Sequence, residues 1–157
     1  MSLLSFEKRK LTGTLLVALQ FGLLFVLAAL AARRILQGAL PTGALVLAAC
    51  CAALAAWTLM HNRLGNFNIR PMPKTGGAMV TTGPYRWIRH PMYTSVLLGA
   101  AALAWMSDPV ALGWTAWSTL ALDLLMKSIF EERWMRENHF GYARYRRESK
   151  RFVPWVF

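Results

Sequence analysis

The segment Gly83-Pro84-Tyr85-Arg86-Trp87-Ile88-Arg89-His90-Pro91-Met92-Tyr93 gathers aromatic rings, guanidinium groups and an imidazole beside an apolar run. Pro91 suits the first turn of a helix, and from there His90 and Tyr93 face one volume. Glu131 and Glu132 stand at the far end of a later apolar run and supply carboxylates. Together these groups suit a ligand that carries a carboxylate, a flat base and a cation. Arg or His meets the first, apolar and aromatic walls the second, and ring faces with carboxylates the third. Hydrocarbon cannot satisfy loose backbone or unpaired charge, so such a cluster at the mouth of a membrane helix marks a candidate functional site.

The elements that must position this cluster are read from the apolar runs. With 56% hydrophobic residues in 157, the chain is one domain and too apolar for an ordinary soluble one. Residues 11–32 and 42–60 carry no charge over about the twenty residues that a spanning helix needs. The first of these exceeds the core of a secretory signal, roughly 7–15 residues. Residues 91–106 and 110–130 form two further runs around Ser107-Asp108-Pro109, where Asp108 is expected to cap the second helix and Pro109 to sit in its first turn. The fold expected is all-α: a membrane bundle of about four transmembrane helices, the third and fourth a hairpin, with a cytosolic loop over 61–90 and a cytosolic C-terminal segment over 131–157. Within that segment the fourth helix can continue through 131–136, and after Gly141 residues 142–151 read as a basic amphipathic helix lying on the membrane surface.

The net charge of +11 would suit nucleic acid, but its distribution excludes that partner. With both termini in the cytosol, every Lys and Arg except Arg33 and Arg34 falls on the inner side, the positive-inside pattern. Anionic headgroups of a bacterial inner membrane are the expected partners. Cys50 and Cys51 are adjacent in mid-span and read as small packing residues. His61, His90 and His139 are scattered, and no metal site is expected. The turn-forming stretch from Arg63 to Gly77 is expected to fold over the membrane face, with Asn66 and Asn68 in turns or on substrate. In the fourth run, Asp123 would cost roughly 2.5–3.5 kcal/mol unpaired at the bilayer centre, and Lys127 one turn later is the expected neutralising neighbour.

Arg63-Leu64-Gly65, then Val80 through Tyr93, then Glu131-Glu132 and Phe140-Gly141-Tyr142-Ala143-Arg144-Tyr145 up to Pro154, resemble the isoprenylcysteine carboxyl methyltransferase and phospholipid methyltransferase group of integral membrane enzymes. The resemblance covers about the C-terminal two-thirds of the chain. It implies an S-adenosylmethionine pocket touched by Tyr85, Arg89, His90, Pro91, Tyr93, Glu131 and Glu132, closed from the cytosol by the basic C-terminal region. Arg89, Glu131 and Glu132 are the residues it implies for catalysis. Ser95 and Met135 depart from the group's usual Gly and Leu, and the longer substrate loops of an isoprenylcysteine enzyme are not recognisable.

Methyl transfer from a sulfonium is an in-line displacement, so the protein's main contribution is alignment, with a ceiling of roughly 7–11 kcal/mol. A carboxylate acceptor needs no base, whereas an amine or thiol does, and Glu131, Glu132 or His139 are candidates. The acceptor is expected to be lipophilic and to enter from lipid. Two other classes compete: an NADPH-dependent membrane reductase of the sterol-reductase type, which shares an Arg-His-Pro-x-Tyr ending, and a non-catalytic membrane scaffold.

Overall fold

The computed structural model describes residues 3–62 and 79–157, and the described residues are helical apart from turns, a short C-terminal loop and one isolated bridge. The helices are α1 (Leu3–Leu36), α2 (Thr42–His61), α3 (Pro91–Met106), α4 (Val110–Asn138) and α5 (Tyr142–Glu148), with a single 3-10 turn at Gly83–Arg86 before α3. The expected fold of the stretch from Arg63 to Gly77, with Asn66 and Asn68, lies outside the described residues.

Arg9–Leu36 and Thr42–His61 are long and apolar enough to cross a membrane. They turn Leu11, Leu15, Phe25, Val46 and Met60 outward. Lipid solvates such side chains as well as a protein core does, so burial does not hold these helices together. Packing of small residues does. Ala100 and Ala104 of α3 and Ala116 of α4 let the backbones approach, and Leu27, Leu120 and Leu124 fill the space between them. Gly43 of α2 serves the same end: a Cβ there would lie 2.7 Å from the Trp105 ring of α3. The α2 helix packs on α3, α3 on α4, and α1 lies against both α3 and α4. Trp117 of α4 donates its indole N–H to the Leu97 carbonyl of α3 at 2.9 Å, giving a polar atom in the apolar layer its partner.

Between α3 and α4 the turn is tight, but its chemistry differs from expectation. Pro109 itself occupies the cap position, and no side chain caps the helix. Asp108 instead reaches Arg33 at the end of α1, 3.2 Å away, and its N–H bonds the Leu30 carbonyl. A cation at the end of α1 competes better for that carboxylate than the N–H groups of α4, because the pair is charge-assisted.

At the other end of the hairpin α4 continues to Asn138, carrying Glu131 and Glu132 well past the apolar run. The helix expected after Gly141 forms as the short α5, with Tyr142 buried. Gly141, at φ 94°, turns the chain into it, a backbone setting that favours glycine. Residues 149–157 then leave helical geometry and return to the start of α3. The Arg89 N–H bonds the Lys150 carbonyl at 2.8 Å, Lys150 N–H bonds the Trp87 carbonyl at 2.9 Å, and Thr94 Oγ1 bonds the Phe152 carbonyl at 2.9 Å. A periodicity argument sees only the basic face of this segment. These backbone bonds to a distant strand-like stretch leave no trace in it.

Candidate active site

Pro91 opens α3 and is buried, and His90 stands immediately before it in a non-helical conformation. That placement leaves the His90 ring at the helix mouth, where α4 delivers both glutamates. His90 Nδ1 lies 3.3 Å from Glu131 Oε2, and Nε2 lies 3.3 Å from Glu132 Oε1. The ring is stacked parallel to Tyr93 at a centroid separation of 5.4 Å, and Phe152 meets it at 5.9 Å. Tyr93 in turn donates its hydroxyl to Glu131 Oε1 at 2.6 Å. The sequence reading therefore brought His90, Pro91, Tyr93, Glu131 and Glu132 to one place.

The two glutamates have different surroundings. Glu132 is buried and saturated: Oε1 accepts from Arg89 Nε and Arg151 Nε, both at 3.0 Å, and Oε2 accepts from Arg151 Nη2 at 3.1 Å. Arg146 Nε stands 3.6 Å from the same carboxylate. Arg89 is further occupied by the carbonyls of Arg146 and Ser149. This knot ties the C-terminal segment to α3 and α4. The Glu131 side chain keeps 25% of its surface exposed and touches Tyr93 and His90.

Charge follows from this geometry. Burial alone would raise the Glu132 carboxyl, but hydrogen bonds from His90, Arg151 and Arg89 outweigh it and hold the group well below the usual carboxylate range. Burial alone would likewise lower His90. Its hydrogen bonds to Glu131 and Glu132, and their charges, win and raise it above its ordinary value. A protonated ring donates from both nitrogens, which matches a carboxylate on each side. Tyr85 is pushed up to about 12 by burial, against the hydrogen bond from Asn62 and with the Glu131 charge adding to the rise. Burial raises Tyr142 and Tyr145 in the same sense.

Tyr85 accepts from Asn62 Nδ2 at 3.0 Å, and its carbonyl takes the Tyr145 hydroxyl at 2.7 Å, so α2, the 3-10 turn and α5 meet at this residue. Gly83, at φ 60°, makes the turn possible with the His61 ring against it; a side chain there would strike that ring. Arg86 and Trp87 do not join the cluster. Arg86 is exposed, and Trp87 packs on Trp57 at 5.6 Å. His139 lies at the C-cap of α4 with its ring against Trp134. Sequence reasoning missed the individual parts played by Arg151, Arg146 and Asn62. An excess of cations after α4 was visible, but nothing in a run of Arg and Lys says which of them turns inward.

Deeper in the bundle the charges of Asp123 and Lys127 act on one another as expected, but no salt bridge or hydrogen bond joins the two side chains. Lys127 Nζ donates to Gln20 Oε1 of α1 and lies 5.3 Å from the Tyr93 ring centroid, while both Asp123 carboxylate oxygens lack a hydrogen-bond partner among the described residues. The bond across to α1 gives Lys127 a neutral acceptor without bending its side chain back along its own helix.

As a chemical environment, the Glu131 carboxylate with the faces and hydroxyls of Tyr85 and Tyr93 suits a small organic cation. The sequence model of the family described as "Phospholipid methyltransferase" matches residues 36–142, which include the 3-10 turn, the helix mouth and both glutamates. A protein described as cobalt-zinc-cadmium resistance protein CzcN, from Cupriavidus metallidurans, is 32% identical over 83 residues, covering 52% of this chain and 38% of that protein. The chain thus spans well under half the length of that relative. No solved structure matches. The apolar helices and the extent of the family match together make this a membrane-associated protein and a member of the phospholipid methyltransferase family.

Proposed function

We propose that this protein transfers a methyl group from S-adenosylmethionine to a lipophilic acceptor at the cytosolic face of a bacterial inner membrane. The observation that carries the reading is the convergence of His90, Tyr93 and Glu131 within hydrogen-bonding reach at the mouth of α3. A sequence separation of about forty residues is bridged there by the hairpin alone. In this reading α3 and α4 also cross the bilayer, giving four spans with both termini cytosolic, and the surplus of inner cations binds anionic headgroups.

When bound, the donor supplies an electrophilic methyl carbon on a sulfonium. The protein's residues supply position. Glu131 and the rings of Tyr85 and Tyr93 hold the ammonium of its amino-acid end, a charge that S-adenosylhomocysteine keeps, with His90 fixing Glu131 from the other side. Tyr93 keeps its hydroxyl on Glu131, so its ring has one orientation. Glu132 works at a distance from the chemistry: through Arg89 and Arg151 it fastens the C-terminal segment across the mouth and excludes water from it. The division of labour that the adjacent positions leave open is thus a ligand-facing Glu131 and a Glu132 that braces the cage.

The test is binding by the detergent-solubilised protein, followed by thermal shift and calorimetry with S-adenosylhomocysteine and, separately, NADPH. Binding of S-adenosylhomocysteine alone, weakened roughly tenfold or more in Glu131→Gln, is the expected result, since a charge-assisted contact is worth about 1.5–3 kcal/mol. Binding of NADPH instead selects a reductase. Binding of neither leaves a scaffold.

A further inference from the structure

The C-terminal segment turns Arg151 and Phe152 toward the site, but beyond them it turns its apolar side chains out. Val153, Trp155, Val156 and Phe157 are all exposed, Trp155 to 80% and Val156 to 76%. Large apolar side chains gathered on one short loop outside the helices mark a surface that something other than water covers. The backbone is arranged for the same surroundings. Phe152 and Val153 N–H both bond the Phe157 carbonyl, at 2.8 and 2.7 Å, and Val156 and Phe157 N–H bond the Val153 carbonyl, at 3.3 and 3.1 Å. Pro154 has no N–H to satisfy. Trp155 closes the turn at φ 62°, a left-handed setting that is costly for a bulky side chain. Strain therefore sits at the residue whose indole is presented outward. A loop whose donors are met internally and whose side chains are apolar is one that can leave water.

Its position names the partner. The Phe152 carbonyl is held by Thr94 Oγ1 in the first turn of α3, and Phe152 and Phe157 line one apolar groove with Leu97 of α3 and with Leu122 and Leu125 of α4. Leu122 is 64% exposed, on a face of α4 that meets lipid when the hairpin spans the bilayer. The loop is thus continuous with the outer surface of the hairpin. It lies at the level of Thr94 to Leu97, about 5–9 Å along the axis from Pro91, and segments at the boundary between headgroups and chains sit roughly 5–10 Å deep. Arg147 and Lys150, exposed and just before the loop in the chain, suit anionic headgroups.

We propose that residues 153–157 are a membrane anchor, inserted beside the seam of α3 and α4 into the cytosolic leaflet, with Trp155 at the level where indoles collect. This rests on the placement of the hairpin in the bilayer given above, and not on methyl transfer. Arg151 of the same segment bonds Glu132, so the cover of the site is held from within by a carboxylate and from outside by lipid.

The test is depth. Nitroxide labels are placed by Val156→Cys, Leu122→Cys and Arg144→Cys, one at a time, in a chain whose Cys50 and Cys51 are replaced by Ala, and the protein is studied in vesicles of phosphatidylethanolamine and phosphatidylglycerol. Collision with oxygen, which concentrates in hydrocarbon, is compared with collision with a water-soluble nickel chelate. The labels at 156 and 122 are expected to favour oxygen and the label at 144 to favour nickel. Trp155→Ser should shift the label at 156 severalfold toward nickel and leave that at 122 in place, while Trp155→Phe keeps both in lipid. A label at 156 as open to nickel as that at 144 overturns the anchor. If the label at 122 still favours oxygen, the spanning hairpin stands without it; if 122 also favours nickel, both fall together. A label at 156 shielded from both reagents means that a protein surface covers the loop, and overturns its assignment to lipid.

Discussion

His90 and Glu132 impose opposite demands on pH. The folded-state pKa of His90 is raised above the ordinary 6.5, so its contribution is complete below that value and fades as pH rises through the folded pKa. That of Glu132 is depressed below the ordinary 4.5, so its contribution is complete above that value and fades as pH falls through the folded pKa. Both are in full only between those ordinary values, and thermal stability in detergent is expected to peak there. Melting temperature measured against pH checks this: His90→Asn should flatten the descent on the alkaline side and soften the acid side as well, because Glu132 loses the hydrogen bond that lowers it most. The residue types of this cluster were legible in the sequence, because His, Tyr and paired Glu near a Pro-started helix have few structural uses in a membrane chain. The separate tasks of Glu131 and Glu132 were not. They are adjacent and chemically identical, and only the direction each takes around the helix, about 100° apart, sends one to the arginines and the other to Tyr93.

At the scale of elements, the helices were legible where composition alone decides. The apolar runs became α1 to α4, with α4 extended by the charged turns that follow. The C-terminal segment was not legible, since it is held by backbone pairing to residues 87–90 and by Phe152 beneath the His90 ring. Such pairing depends on which distant stretch is nearby, which periodicity does not encode. Asp108 failed as a cap for a related reason: its partner Arg33 comes from another helix. Removing residues 149–157 is expected to leave helical content nearly unchanged, to lower stability by about 1.5–3 kcal/mol because Glu132 loses the charge-assisted bonds from Arg151 while keeping those from Arg89 and His90, and to abolish S-adenosylhomocysteine binding. Circular dichroism, thermal unfolding and a binding titration on the truncated chain check the three parts separately. Binding that survives truncation would mean that the segment is not a wall of the site.

The whole molecule has its cations crowded at one end of the bundle and its turn between α3 and α4 at the other. Arg33, one of the two basic residues placed apart from the rest, is paired with Asp108 at that turn. In a membrane this asymmetry fixes orientation. Single cysteines placed at Gly38 and at Lys150, in a chain whose Cys50 and Cys51 are replaced by Ala, are expected to label from opposite sides of sealed inverted vesicles, the second from the cytosolic side. Labelling of both from one side would exclude the arrangement of four spans.

The knot around Glu132 also has a consequence for how the protein is made. Arg146 and Arg151 leave the ribosome after all four long helices have been synthesised, so the hairpin of α3 and α4 is complete while this carboxylate still lacks two of its guanidinium partners. Until translation has passed Arg151, the mouth of α3 is without its cover, which is completed only when the chain's late segment folds back on residues made some sixty positions earlier.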